Sequence, residues 1–563
     1  MGVYRYVMAL TQTDRAHALI WPSGIGLFCL FLAALFQILC ILQPLGFLVD
    51  VVFSRDDAFY YFVIAQNMAK TGMATFDGIH LSNGVQLLWN YMLVGVAWLV
   101  PDKIEFLRAV LGLCVALNIA AGVLIWQLGR RLHSVMLGDI ALIFWAGIMI
   151  ERWNTLQGME FSLHIVIILA IFLVFWQMWR AGSVSPARAA LLGLLLALNY
   201  WTRLDAVIFS VGIWVFAVWL IRSKAGPTSS LILLTAIPAL GAGLYVWASY
   251  DMAETFLPLS GSVKRHYSNI YFDGVETSRS MIEQAGWWLK IQSMMFLGVV
   301  PETLLTLPNH ISFNPKSELM HAILPLLAFA LVGLGAVWLW VRYGFRSVLG
   351  RVALAGCVLW VLSAIHILIT VIALADFSHV TRHYYGWLLV FWLVWGALLL
   401  ATLMEALPKL GQAGLAAAFI GVAGLGYGTS GYQFLVGYEP EVENYAPIRM
   451  QLGAELSAEL APDAIVGAWN AGVLGYFLER PVVNLDGLVN DKAFRDVLAS
   501  GAPLQDYLTQ VGVTHLIDHN KRDLTLSFQE VRDTETFFRN GISWDEVDAL
   551  KQVGAIYVLE IKE

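Results

Sequence analysis

The chain has 563 residues, is 59% hydrophobic and only 13% charged, and contains 22 tryptophans; its mean hydropathy is +0.69. A soluble globular protein carries about 25% charged residues. This composition excludes one and predicts a polytopic α-helical membrane protein whose segments span roughly 30 Å of hydrocarbon. The net charge of -7 implies no nucleic-acid partner.

In chain order, the N-terminal MGVYRYVMALTQTDRAHALIWPSGIG lacks a small-residue cleavage site behind a short apolar core. It reads as a retained cytoplasmic lead-in, not a signal peptide. Apolar segments follow at about 24–52, 106–128, 136–150, 160–179, 188–201, 206–221, 229–250, 321–341, 352–375, 387–404 and 411–430. The stretch SNGVQLLWNYMLVGVAWLVP (82–101) is short, opens on an Asn-Gly turn and stops at Pro101. If it does not cross, the clusters GRRLH (129–133), WRAGSVSPAR (179–188), IRSKAG (221–226), VRYGFRSVLGR (341–351) and Lys409 share the N-terminal side. The positive-inside rule prefers that arrangement, which makes 85–100 an interfacial helix and leaves eleven spans. Cys29, Cys40, Cys114 and Cys357 all lie in apolar segments without a CxxC pattern, so neither a disulfide framework nor a metal site is expected from them.

This topology brings the polar elements SRDD (54–57), RWNTLQGME (152–160), TRLDA (202–206), SGSVKRHY (260–267) and SHVTRHYY (378–385) to one outer face. Mid-span positions are nearly free of charge, whereas a transporter places ionisable groups near the bilayer midplane. From about residue 435 charge rises and apolar runs shorten. AIVGAW, PVVNLDG, GVTHLIDH and AIYVLEI read as short buried strands, with AGVLGYFL, RDVLASG and LQDYLTQVG as helices between them. The chain therefore divides into a membrane domain at 1–434, with long outer loops at 53–105 and 251–320, and a C-terminal α/β domain at 435–563. An odd number of spans puts that domain outside.

Residues 54–57 fit the Ser/Thr-x-x-Asp/Glu capping box. Ser54 would cap the helix DDAFYYFVIAQNMAK, which Gly72 ends, and Asp57 at its third position would close the box. Asp56 has no such local task, and an ionised Asp56 facing a cleft is a candidate general base. Phe59, Tyr60, Tyr61 and Phe62 read as membrane-interface anchors. FDGIH (76–80) and SNGVQ (82–86) read as chain reversals. WNAG (469–472) lies between a strand and a helix, where backbone N–H groups can hold an anion. NLDG (484–487) reads as a strand-end turn. His266, His379 and His383 share the outer loops without a spacing that places them on one helix, so interfacial histidines are expected rather than metal ligands.

The stretch DDAFYYFVIAQNMAKTGMATFDGIHLSNGVQLLW resembles the first outer loop of GT-C-fold glycosyltransferases. In these multipass enzymes an acidic pair follows the first transmembrane helix, and two juxtamembrane helices fill the loop. QGMEFSL is similar to the Gly-Met-Glu element of polyprenyl-phosphate arabinofuranosyltransferases. TRLDA stands where they carry an Arg-Pro-acidic element, with Leu204 replacing the proline. LPLSGSVK resembles a proline-led loop with a lysine near the carrier phosphate, and TRHYY an arginine-tyrosine element late in the fold. The resemblance covers residues 24 to about 390. It is carried best by the first loop.

The resemblance implies a multi-pass inner-membrane (plasma-membrane) enzyme that moves a sugar from a polyprenyl-phosphate carrier to a glycan, lipid or protein hydroxyl, with inversion, on the extracytoplasmic face. Asp56 and Asp57 are then the catalytic candidates. Lys264, Arg382, Arg203, Glu160 and Tyr384 are the candidates for substrate and donor-phosphate binding, since cations stabilise the charge that develops on a leaving phosphate. Arg203 has a competing partner in Asp205, and Glu160 either orients an acceptor hydroxyl or bonds a helix end. No cofactor is assigned, and a divalent cation is left open. Two other classes stand beside this one: a flippase for lipid-linked sugars, and a membrane scaffold whose outer domain binds a polymer.

Overall fold

The computed structural model describes residues 24–53, 56–150, 155–264, 348–374, 386–435, 445–500, 502–519, 547–553 and 556–562, with a few positions between 334 and 347. Helix α1 (Ile25–Ile41) is apolar except for the buried Gln37, which donates to the Met149 carbonyl and Thr155 Oγ1, and it starts after Gly24 at φ +87°. At 1.5 Å per residue it is about 26 Å long. The segment 24–52, expected as one span, is broken. Pro44 stops the helix, and the continuation Leu45–Val52, ending in a π-helical turn, leaves at 117° to α1. A proline has no N–H to continue the ladder, so the chain turns away there before the two aspartates arrive.

Helix α2 (Asp57–Thr71) ends at Gly72, whose φ of +78° and N–H bond to the Met68 carbonyl form a left-handed cap. Its start differs from the capping box expected. The residue before the first helical turn is Asp56, and no side chain caps it. Asp57 is therefore the first helical residue, not the third, while Ser54 lies outside the described residues. Phe59, Tyr60, Tyr61 and Phe62, expected at the membrane interface, are all buried in protein. Phe59 and Phe62 pack edge to face with Phe53 and Tyr476, ring centroids 5.3–6.2 Å apart.

Helix α3 (Leu87–Leu99) is about 20 Å long, too short for roughly 30 Å of hydrocarbon. Helix α4 (Lys103–Leu132) is capped by Asp102, whose carboxylate accepts from the Ile104 and Glu105 N–H groups at 2.9 Å. Then come α5 (Val135–Ile150), α6 (Phe161–Arg180), α7 (Pro186–Thr202), α8 (Val207–Ser223), α9 (Thr228–Ala253), α10 (Val348–Leu374), α11 (Gly386–Ala406) and α12 (Lys409–Leu435). From Met136 to Ile150, α5 is buried on every side, packed among α1, α4, α11 and α12. Among the described residues four helices are long and apolar enough to cross a membrane, or five if the bent pair counts as one span. The candidate span at 321–341 falls largely outside them.

Helix α13 (Ala446–Glu459), which the sequence did not announce, leads into a five-stranded sheet. Its strands are β1 (Val466–Ala468), β2 (Val482–Asn484), β3 (His515–His519), β4 (Val547–Val553) and β5 (Ile556–Ile561), ordered β2-β1-β3-β5-β4. The β2-β1-β3 half is parallel, and β3-β5-β4 is antiparallel. Helices α14 (Gly472–Phe477), α15 (Lys492–Ser500) and α16 (Leu504–Val511) fill the connections. β4 was missed because VDALKQV lacks a clean polar/apolar alternation, and its pairing slips between Ala549 and Lys551.

The C-terminal unit is seated on the first loop. One apolar core runs from Val49 and Phe53 through Phe59 and Phe62 into Leu452, Val466 and Leu474. Gly84 shows how close the approach is: a Cβ there would lie 1.8 Å from the Leu488 carbonyl oxygen. Gly84→Ala must therefore force two backbones apart, at a cost of about 1–3 kcal/mol as for other overpacked contacts. Gly95, inside α3, has open space where a Cβ would project, with no atom within 4 Å, and Ala favours helix there. Thermal unfolding of the detergent-purified protein should show a lowered midpoint for Gly84→Ala and none for Gly95→Ala.

Candidate functional site

Two polar clusters meet at α2, and the helical period separates them. Residues 56 and 60 lie four apart and share one face; residues 57 and 61 share the next. The first face looks at the C-terminal unit. Asp56 Oδ2 accepts from the Gly472 N–H at 2.6 Å and Oδ1 from the Val473 N–H at 2.7 Å. A Cβ on Gly472 would stand 2.3 Å from the Asp56 carbonyl oxygen, so glycine is required at this contact. Tyr60 donates its hydroxyl hydrogen to Asp486 Oδ2 at 3.1 Å, and Asn484 donates to the Tyr60 oxygen at 3.2 Å. Asp486 also accepts from the Asn470 N–H at 2.5 Å, where the backbone takes φ +47°. Further along, the Tyr476 hydroxyl donates to the Lys103 carbonyl at 2.6 Å and accepts from Gln66 at 3.2 Å.

The anion that WNAG holds is thus a side chain of the same protein. Asp56 has no capping task in its own helix, as expected, and is held instead by amides more than four hundred positions away. Burial pushes its carboxyl up to about 6, opposed by the Arg449 charge and the two N–H bonds and assisted by Asp486. Burial and the neighbouring carboxylates raise Tyr60 well above the usual phenol range, and burial with Glu160 does the same for Tyr61. Both phenols therefore remain protonated.

The second face of α2 looks at a buried ion cluster. Arg203 Nη1 donates to Glu160 Oε1 at 2.6 Å, while Nε and Nη2 donate to the two Asp205 oxygens at 3.1 and 3.3 Å. Arg203 and Glu160 are each 2% exposed. Sequence spacing anticipated the Asp205 pairing; Glu160 completes a triad with it. Gly158 brings Glu160 in. Its φ is +75°, a Cβ would lie 2.5 Å from the Phe62 ring, and its carbonyl accepts from Trp89 Nε1 at 3.0 Å. Gln86 joins the pieces, its N–H donating to the Tyr61 oxygen at 3.3 Å and its Oε1 accepting from the Leu204 N–H at 3.2 Å. Glu160 Oε2 is buried and has no hydrogen-bond partner among the described residues. Asp57 is half-buried, and its side chain makes no hydrogen bond to a described residue.

Lys264 ends the described part of a third element, a short helix at 259–264. Asn83, fully buried in the SNGVQ turn, fixes the approach to it. Its amide donates to Ser249 Oγ at 2.7 Å and Thr255 Oγ1 at 2.9 Å, and its Oδ1 accepts from the Leu259 N–H at 3.0 Å. Val263 packs on Phe494 and Gly487 of the C-terminal unit. The FDGIH turn closes as expected, with Asp77 accepting from the Ile79 and His80 N–H groups and Gly78 at φ +80°. Arg382, Tyr384, Arg265, His266, His379 and His383 lie outside the described residues. Among the described residues no group of three or more metal-ligating side chains forms.

The broken first span, the two-helix first loop and the C-terminal sheet unit define a multi-pass membrane protein of GT-C-type fold. Among solved structures, the apo oligosaccharyltransferase of Archaeoglobus fulgidus is similar, with a TM-score of 0.50 at 12% identity over 88% of this chain and 70% of that one. ArnT from Cupriavidus metallidurans, solved bound to undecaprenyl phosphate, gives a TM-score of 0.42 at 14% identity over 95% and 98%. Residues 438–556 match a family described as a domain of unknown function, DUF8728. No curated protein matches the chain in sequence.

Two outcomes check this geometry. Asp56 titrates at about 6 in the fold against an ordinary value of 3.8. The folded chain therefore binds this proton more tightly than the unfolded one. Below about pH 4 both states carry it; as pH rises from 4 to 6 the fold must ionise a buried group and loses stability, by up to about 3 kcal/mol at 1.36 kcal/mol per unit. Asp56→Asn removes that slope. In denaturant unfolding across pH 4–7, wild-type stability should fall relative to the variant and level off above pH 6. Arg203→Ala leaves Glu160 buried without its counter-charge and should cost about 3–5 kcal/mol, read as a lowered denaturant midpoint.

Proposed function

We propose that this protein transfers a sugar from a polyprenyl-phosphate carrier to an acceptor hydroxyl on the extracytoplasmic side of the inner (plasma) membrane, inverting the anomeric centre. One observation carries the reading. A half-buried carboxyl without a described hydrogen-bond partner, Asp57, opens the helix that carries Tyr61 one turn on, and the Tyr61 phenol feels the charges of Glu160, Arg203 and Asp57, within a GT-C-type fold.

Of the two catalytic candidates, Asp57 takes the role of general base. Asp56 is engaged on both oxygens by Gly472 and Val473, which leaves it poorly placed to receive a proton from an incoming hydroxyl. Asp57 accepts the acceptor's proton as the hydroxyl oxygen attacks the anomeric carbon. The bond from that carbon to the phosphate oxygen breaks, and the polyprenyl phosphate leaves with the electron pair. Lys264 and Arg382 hold the phosphate and stabilise its developing charge, with Tyr384 two positions after Arg382 in sequence. Glu160 Oε2, unpartnered and buried, orients a substrate hydroxyl. Arg203 supports Glu160 and Asp205 and acts on substrate through them. The division at about residue 435 separates the membrane part from a C-terminal unit on the same outer side. Carrier chemistry of this kind accords with the fold shared with the Archaeoglobus fulgidus oligosaccharyltransferase. An oligosaccharyltransferase of that organism was solved with dolichol-phosphate and an inhibitory peptide, and ArnT with undecaprenyl phosphate.

The test uses purified protein in proteoliposomes with a panel of radiolabelled polyprenyl-phosphate sugars and membrane glycolipid acceptors. Wild type should form labelled product. Asp57→Asn should lose at least about 100-fold in turnover, the lower end for a general base, without a change in unfolding temperature. Lys264→Ala should raise KM for the donor. Near-normal turnover by Asp57→Asn would remove it as the base, and label crossing the bilayer without bond formation would turn the reading to a flippase.

A further inference from the structure

We infer that Asp56 is a positioning residue through which the C-terminal unit sets the reactive carboxyl of Asp57; this rests on the base assignment above. The coupling follows from geometry. Asp56 and Asp57 are adjacent, so fixing one side chain fixes the backbone that aims the other. Both Asp56 oxygens are held, at 2.6 and 2.7 Å, by consecutive amides of Gly472 and Val473. Those amides cannot move independently of the sheet, since the Asn470 N–H is tied to Asp486 and Asp486 to Tyr60. Tyr60 lies one helical turn beyond Asp56 on the same face, so the C-terminal unit grips the first turn of α2 at two points spaced by its period.

Steric contacts at two glycines act independently of the hydrogen bonds. Gly472 cannot carry a side chain, because the Asp56 carbonyl oxygen occupies that space. Gly475, one turn on, is likewise required, with a Cβ there falling 2.6 Å from the Phe76 ring. Two glycines in one short helix thus serve close contact with the first loop. Asp57 itself receives nothing from the C-terminal unit among the described residues. Its neighbours are Tyr60 and Tyr61, whose phenols feel its charge. The backbone position of Asp57 therefore depends on a contact made by its neighbour with a segment far away in sequence. An aim off by about 1 Å is enough to cost on the order of 100-fold in rate.

Full-length Asp56→Ala, Asp56→Glu and Asp57→Asn, reconstituted as above, test this with two readouts. The first is hydrogen exchange of the Gly472 and Val473 amides. Protection should fall at least tenfold in Asp56→Ala and stay at the wild-type level in Asp57→Asn. The second is turnover against pH and donor concentration. Asp56→Ala should lose about 10- to 100-fold in kcat with donor KM unchanged, and its residual activity should keep the acid limb of the wild-type pH profile, because the base is still present. Asp56→Glu, which retains an acceptor, should recover part of both protection and kcat. Unchanged amide protection in Asp56→Ala would overturn the positioning contact whatever the activities show. Loss of the acid limb in Asp56→Ala would make Asp56 the base and overturn the inference from the other side. If Asp57→Asn instead turns over normally while Asp56→Ala loses protection, the base assignment fails and the contact between the two units stands.

Discussion

A carboxyl group removed from water must find hydrogen-bond donors or remain protonated, and at Asp56 this constraint organises the contact between the first loop and the C-terminal unit. The donors are backbone amides at Gly472 and Val473, with no side chain that could swing away. Backbone donors are fixed by the sheet that carries them. The first loop and the C-terminal unit therefore have one relative placement, and the apolar core that joins them is continuous: Phe59 and Phe62 sit against Tyr476, while Tyr60 packs on Phe76. Each stabilising element here needs its counterpart. Gly472 is tolerable only because Asp56 fills the space of its missing side chain, and Asp56 is tolerable only because Gly472 lets the amide approach.

The helical period then turns one pair of neighbours into two different environments. Successive side chains on α2 point about 100° apart, so Asp56 and Tyr60 bond the C-terminal unit while Tyr61 accepts from Gln86 and feels Glu160 and Arg203. On that second side Arg203 is forked onto Asp205 and reaches Glu160 with its remaining terminal nitrogen. A guanidinium suits this position because its planar donors serve two carboxyl groups at once, where an ammonium would make point contacts. The cluster holds two carboxyl groups and one cation.

Much of this was legible in the sequence. Composition and hydropathy give the polytopic class, the length of LLWNYMLVGVAWL keeps α3 from spanning, and Gly72 marks the end of α2. The spacing of Arg203 and Asp205 anticipates their pair. What was not legible depends on contacts between distant segments. The capping-box pattern at 54–57 is local, and a stronger distant contact at Asp56 prevails over it. The aromatic run at 59–62 carries the composition of an interface belt, and only the seating of the C-terminal unit shows that it is interior. Asn83 in SNGVQ looks like turn chemistry, yet its side chain holds Ser249, Thr255 and Leu259. WNAG did carry a usable signal, since its N–H groups do hold an anion. A sequence pattern can locate such an amide pair, but it cannot say that the anion is a residue of the same chain.

The path of the chain explains why a C-terminal unit sits on this face of a GT-C-type fold. Pro44 ends α1, and the chain continues through Leu45–Val52 at 117° to it before α2 begins. Helix α2 packs against α3 and against α14 of the C-terminal unit. Here α13, α14 and the sheet cover it, and the polar groups on the covered side are matched one by one: Asp56 to two amides, Tyr60 to Asp486, Gln66 and Lys103 to Tyr476. Matched polar contacts add little net energy where water could serve as well, but they fix register sharply, since each unmade bond leaves a desolvated group behind. The C-terminal unit thus contributes more to the placement of α2 than to its existence as a helix. Placement is the property a reactive carboxyl at the first turn of that helix requires.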